Sequence, residues 1–293
     1  MISGFTFIKN GLSLGYPFLE SAKSIAPLCG EVVINVGFED PECTKDDGTY
    51  EFLRDNLTES KYKFIKSWWD PKICSGGQIL AQQTNIALQH CKGETCQYIQ
   101  GDETLHEKDL ENIEKGHKEL ADRNDLFGLI FNYIHFYGNT NSIKYTRSIY
   151  RREVRAIKNN SNIISWRDAQ GFRFDSHKKI PAKLIDATIY HYGWARAQEV
   201  MRKKINSFDK LYHGEDHQNK DEFEYIRLWG VKKFEGDQPE IMKDWVEKNS
   251  HPVDLSKLKL EFKWKDLDLM ISDMVEKYTN YRMGEYKNYL KVK

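Results

Sequence analysis

The feature that most constrains this chain is a repeated alternation of short apolar runs with segments patterned at helical spacing. Ile2 to Ile8, Glu31 to Val36, Tyr62 to Trp68 and Cys96 to Ile99 read as strands. The second is apolar at successive rather than alternate positions, as a strand covered on both faces must be. Helical patterns lie between them. Phe18, Ala22 and Ile25 follow Pro17, Tyr50 to about Leu57 follows Asp46-Asp47-Gly48-Thr49, and Gln78 to Cys91 follows Gly76-Gly77. Leu110, Ile113 and Leu120 mark a further helix after the fourth strand. This rhythm predicts an α/β fold, a mostly parallel sheet flanked by helices and joined by right-handed crossovers. Phe127 to Tyr137 and Ile185 to Tyr190 extend the sheet.

Beyond about Met201 the composition shifts, with Arg202-Lys203-Lys204 followed by regularly placed aromatic residues. The shift predicts a main unit over residues 1–200 and a mostly helical C-terminal extension over 201–293. There Leu267, Met270, Ile271, Met274, Val275 and Tyr278 form an apolar stripe, expected to pack back on the core.

Open α/β sheets bind ligands at the carboxyl ends of their strands. The fourth strand runs into Gln100-Gly101-Asp102-Glu103. Two adjacent carboxylates there suit a divalent ion such as Mg2+ or Mn2+, and through it a phosphate. They equally suit a helix start, where the helix dipole favours acids. Gly76-Gly77 is open to the same double reading, as a backbone that admits a ligand or as an ordinary helix entry. The basic and aromatic stretch from Tyr145 to Arg155 is short and lacks glycine, so it reads as a small-ligand phosphate contact or a solvated strand edge rather than a nucleic-acid surface.

Forty-four basic and forty-four acidic residues cancel, so no global field draws the chain to nucleic acid or to an anionic membrane. No apolar run approaches the roughly 18 residues of a membrane span, and Met1-Ile2-Ser3-Gly4 lacks the marks of a signal peptide. The expectation is a cytoplasmic protein, with room for peripheral association at the inner face of the membrane. Five cysteines without a Cys-x-x-Cys pair point to reduced thiols rather than a disulfide framework or structural zinc.

Taken in order, the strand, the helix, the second strand, the Asp-Gly-Thr that opens a helix, the Gly-Gly helix carrying Asn85-Ile86-Ala87-Leu88 and the strand Gly93 to Glu103 resemble glycosyltransferase family two. Trp166 to Arg173 and His191-Tyr192-Gly193-Trp194 look like segments of a bacterial branch of that family. The resemblance covers about Met1 to Trp194 and implies a GT-A-type catalytic domain with a nucleotide-diphosphate sugar as donor. A UDP-, GDP- or dTDP-sugar would pass its sugar to a hydroxyl of a saccharide or lipid-linked acceptor, in cell-surface polysaccharide or glycolipid assembly. Asp102 matches the second acid of the family's Asp-x-Asp and Gln100 the first, so the resemblance implies a divalent metal, Mn2+ or Mg2+, at Asp102; the adjacent Glu103 and, as a nitrogen ligand, His191 complete the expected metal set.

The resemblance also implies donor contacts from Phe7, Asn10, Glu39, Asp40, Gly77, Asn85, Gln100, Gly101, Asp102 and Arg152. Where the family commonly has an acid near the end of the second strand, this chain has Gly37, and Glu39 or Asp40 stands in for it. Inverting transfer needs a carboxylate base beside the acceptor. Asp168 is the expected base, with Glu103 and Asp175 as competitors, and His135 is assigned to structure. Two other readings remain open, a nucleotidyltransferase and a non-catalytic nucleotide-sugar-binding protein. The first is weakened because Lys9-Asn10-Gly11 is a thin loop for a triphosphate.

Overall fold

The apolar runs become the inner strands of one large sheet. The computed structural model describes residues 1–73, 76–160, 162–213, 223–249, 255–279 and 281–293. The first half contains β1 (Ile2–Ile8), α1 (Phe18–Ile25), β2 (Glu31–Phe38), α2 (Thr49–Asn56), β3 (Tyr62–Trp68), α3 (Gln78–Gln89), β4 (Thr95–Tyr98), β5 (Glu103–Leu105), α4 (Leu110–Asp122) and β6 (Gly128–Tyr137). The second half contains β7 (Asn139–Lys144), β8 (Arg152–Lys158), β9 (Ile163–Trp166), β10 (Gly171–Phe174), β11 (Pro181–Trp194), α5 (Gln198–His213), β12 (Val231–Lys233), α6 (Lys243–Asn249), α7 (Trp264–Thr279) and β13 (Leu290–Val292).

The sheet runs in the order β12-β7-β6-β8-β4-β1-β2-β3. The block β3-β2-β1-β4 is parallel throughout. Antiparallel β8 sits between β4 and β6, and β11 pairs in parallel with β6. Both faces of β2 are covered, as its continuous apolar run requires. Val32, Ile34 and Val36 pack into a core with α1, α2 and α4. Val33, on the opposite face, joins Phe5, Tyr98 and residues of α3. This is the α/β architecture, a sheet flanked by helices, expected from the strand–helix rhythm.

Three features differ from the sequence-based expectations. The Tyr145 to Arg155 stretch is not a solvated edge, because β8 is an inner strand and Arg155 is fully buried. The boundary expected after residue 200 falls inside α5, and the C-terminal segment returns to the main sheet, β12 pairing with β7 and β13 with β11. The apolar stripe of α7 faces outward, with Ile271 57%, Met274 64% and Tyr278 77% exposed. The cause is electrostatic. Polar residues of α7 take the inward side, Glu276 bridging Arg151 and Arg282 while Asp273 accepts from the Trp229 indole.

Cys29, Cys91 and Cys96 are buried free thiols and Cys43 is a half-buried one. Cys74 lies outside the described residues. Among the described residues no helix is long and apolar enough to cross a membrane.

Candidate active site

Each strand of the parallel block delivers the residues that follow it to one cavity of about 850 Å³. Asn10 follows β1, Glu39 follows β2, Trp69 follows β3, and Gly101 and Asp102 follow β4. Helix α5 closes the opposite side with Met201, Lys204 and Phe208. Parallel strands that end together leave a hollow where their loops diverge, which is why open α/β sheets bind ligands there.

Gly37, at the point where an acid was expected, is explained by its neighbour. A β-carbon on Gly37 would lie 2.1 Å from the Trp69 indole nitrogen, so the indole occupies the space an acidic side chain would need. That buried indole N–H has no hydrogen-bond partner, and neither has the buried Oδ1 of Asn10.

Asp102 is the electrostatic centre. Its Oδ2 accepts from Lys204 Nζ at 3.1 Å and from Arg196 Nη2 at 3.4 Å, and its Oδ1 lies 3.6 Å from His191 Nε2. Burial alone would raise its pKa, but Lys204, His191 and Arg196 hold it well below the usual carboxylate range. Burial, with Arg196 close by, in turn pulls Lys204 down to about 8. The Arg196 guanidinium rests on the Tyr16 ring, 3.9 Å from its centre, and its Nε–H has no partner.

Strand register sets the histidines. His191 pairs with Glu103 of β5 on one side and with His135 of β6 on the other. The Tyr150 carbonyl, 2.7 Å from His135 Nε2, can only accept, so His135 carries its proton there. Burial and the neighbouring His191 keep His135 neutral, well below its ordinary pKa. Its Nδ1 therefore accepts from His191 Nδ1–H at 2.9 Å, which turns His191 Nε2 toward Asp102. Glycine at 193 is required here, since a β-carbon would lie 2.6 Å from His191 Nε2.

The cavity gathers Phe7, Asn10, Glu39, Gln100, Gly101, Asp102, Asp168 and His191 of the residues expected from the sequence. Asp168 sits in the β9–β10 turn, flanked by Arg167 and Ala169 at φ 53° and 59°. Tyr212 Oη of α5 donates to it at 3.4 Å. Gly77 abuts the same turn at φ 73°, and a side chain there would strike Asp168 Cβ at 2.8 Å. Four expected residues are engaged elsewhere. Asp40 accepts from the amides of Thr44 and Lys45 within its own loop, and the Ser165 amide donates to Asn85. Arg152 donates to Asn132. Glu103 is fully buried and receives Arg155 through two hydrogen bonds, at 2.9 and 2.8 Å, with a third from Tyr133 Oη.

These residues do not fit a divalent metal. Among the described residues no group of three or more His, Cys, Asp or Glu side chains is placed to hold one. Glu103 is closed off by Arg155, and Gln100 donates its amide to the Ala169 carbonyl. Asp102 is the remaining acid of the expected set, and two cationic groups already lie against one of its oxygens. Hard dications seek several anionic or neutral oxygens, not a carboxylate shared with an ammonium and a guanidinium.

Trp69, Arg196 and Lys204 did not come from the sequence motifs. Trp69 was in reach, as the residue after the third strand. The two cations lie past the last recognisable strand, where Arg202-Lys203-Lys204 reads as an ordinary surface charge run.

No family model matches the chain, and no curated protein matches it. Solved structures show loose likenesses. A fragment of S. aureus TarS, residues 1–349, is 10% identical over 74% of this chain and 66% of its own, with a TM-score of 0.37. A nucleotidyl transferase from Methanothermobacter thermautotroptrophicus is 11% identical over 54% of this chain and 72% of its own, at 0.29. Glucosyl-3-phosphoglycerate synthase from Mycobacterium tuberculosis, solved with Mn2+, UDP and phosphoglyceric acid, is 13% identical over 45% of this chain and 43% of its own, at 0.31. The chain thus spans just under two thirds of the TarS fragment and less than half of the synthase, and the chemistry of the site rests on its own geometry.

Proposed function

We propose that this chain is a glycosyltransferase of the family-two kind, moving a hexose from a nucleotide-diphosphate sugar to a hydroxyl of a saccharide or lipid-linked acceptor in cell-surface polysaccharide or glycolipid assembly. The observation that carries the reading is a cavity at the carboxyl ends of β1 to β4, with a cationic cluster around Asp102 beside it and the carboxylate of Asp168 on its wall. The nucleoside lies toward Trp69, the diphosphate toward the cations and the sugar between them and Asp168.

In the reaction the Asp168 carboxylate accepts the acceptor's hydroxyl proton as that oxygen bonds to the anomeric carbon. The bond from this carbon to the diphosphate oxygen breaks, its electron pair leaves with the nucleoside diphosphate, and the anomeric configuration inverts. The cations oppose the charge that builds on the departing oxygen. A nucleotidyltransferase would need free amides after β1 for a triphosphate. Here the amides of Gly11 and Leu12 donate to Thr49 Oγ1, and that of Ser13 to Asp47.

The test is release of nucleoside diphosphate from a panel of nucleotide sugars. One donor should turn over slowly by hydrolysis and faster with acceptor, and Asp168→Asn should lower transfer by about 10²-fold or more while donor affinity holds. Binding of a nucleotide sugar without any turnover would leave a non-catalytic binding protein instead.

A further inference from the structure

We propose that this chain neutralises the diphosphate of its ligand with its own Lys204 ammonium and uses no divalent metal; the proposal rests on the nucleotide-sugar reading of the cavity. The argument begins with the charge count. Two cationic side chains meet one carboxylate at Asp102, so the cluster is net positive before His191 is considered. A metal site of this kind needs the opposite, a surplus of anionic oxygens.

Position comes next. Lys204 lines the cavity from α5 and is held at both ends of its reach, Nζ donating to Asp102 Oδ2 at 3.1 Å and to the Gly193 carbonyl at 2.8 Å. An ammonium has three N–H donors, and these two acceptors leave one over. Arg196 is buried and does not line the cavity; anchored through Nη1 to the Leu14 carbonyl, it adds a second positive charge beside Asp102. Asp102 thereby changes role from ligand of a metal to positioning residue, fixing the ammonium where a metal would otherwise stand. Glu103 fits the same scheme, closing its charge on Arg155 instead of adding to the site.

The test is calorimetric titration of the full chain with UDP, GDP, CDP and dTDP, once in excess EDTA and once in Mn2+ or Mg2+. The nucleotide that binds should do so with the same Kd, within about twofold, in both arms. In EDTA, Lys204→Met should weaken that nucleotide about tenfold or more while leaving the parent nucleoside unaffected, since only the diphosphate meets the cation. The wild-type comparison stands even if the variant folds poorly. A nucleotide that binds only with metal, or at least tenfold tighter with it, overturns the proposal and leaves the donor reading in place. Failure of every nucleoside diphosphate to bind in both arms overturns the donor reading and this proposal with it.

Discussion

The division of labour between two adjacent acids is the most informative residue-level feature. Asp102 and Glu103 are neighbours in sequence, yet the first ends a turn and the second opens β5, and their side chains part. Asp102 faces the cavity, while Glu103 lies on β5 and reaches the Arg155 guanidinium in a fully buried pair. Removing one partner of such a pair strands a charge in a dry interior. Arg155→Met should therefore destabilise the fold by about 3–5 kcal/mol by chemical denaturation. A loss under about 1 kcal/mol would mean the pair is not formed. Lys204 carries a different signature. Its pKa of about 8 means that its cation is lost as pH rises through that value. Nucleoside diphosphate binding should weaken across the same window in the wild type, and stay weak and flat with pH in Lys204→Met. Unchanged wild-type affinity up to pH 10 would remove Lys204 from the phosphate contact.

Among the elements, β4 and α4 are tied by a buried histidine. His117 of α4 bonds Thr95 Oγ1 at 2.8 Å and Gln97 Oε1 at 3.1 Å, and burial lowers its pKa from 6.5 to about 4. The folded state thus keeps it neutral while the unfolded chain protonates it, so folding stability falls as pH drops from about 6.5 to about 4. The loss attributable to this group is about 3 kcal/mol, and should be missing from the pH dependence of His117→Leu. A wild type equally stable at pH 4.5 and 7 would contradict the neutral, buried assignment.

Elements were readable from the sequence where one physical rule governs them. Val32 to Val36 is apolar at nearly every position because both faces of β2 are covered, and Asp102 was placed because a strand end fixes it. Helix α5 was harder. It packs on the cavity through Met201, Lys204 and Phe208, yet Arg202 and Lys203 between them give it the polar look of a surface helix. Partners brought together by the fold, such as Glu103 with Arg155 and Asp102 with Lys204, leave no local trace in sequence.

For the whole molecule, the chain closes on itself, β13 returning to β11 from the far end of the sequence. Salt bridges hold α7 against the segment that leads into β8, and Ile271, Met274 and Tyr278 of its apolar stripe stay exposed. Ile271→Gln and Met274→Gln should each change stability by less than about 0.5 kcal/mol, as exposed positions do. A cost of 2 kcal/mol or more would mean the stripe is buried.

The fold directs four strand ends and one helix at a shared hollow, and what fills that hollow defines the protein. The deciding measurement is a crystal structure soaked with a nucleoside diphosphate at a concentration well above its Kd. The expected result is a base against Trp69 and a pyrophosphate against Lys204 with no metal between them. An empty hollow, or a nucleotide bound away from these residues, would contradict the assignment.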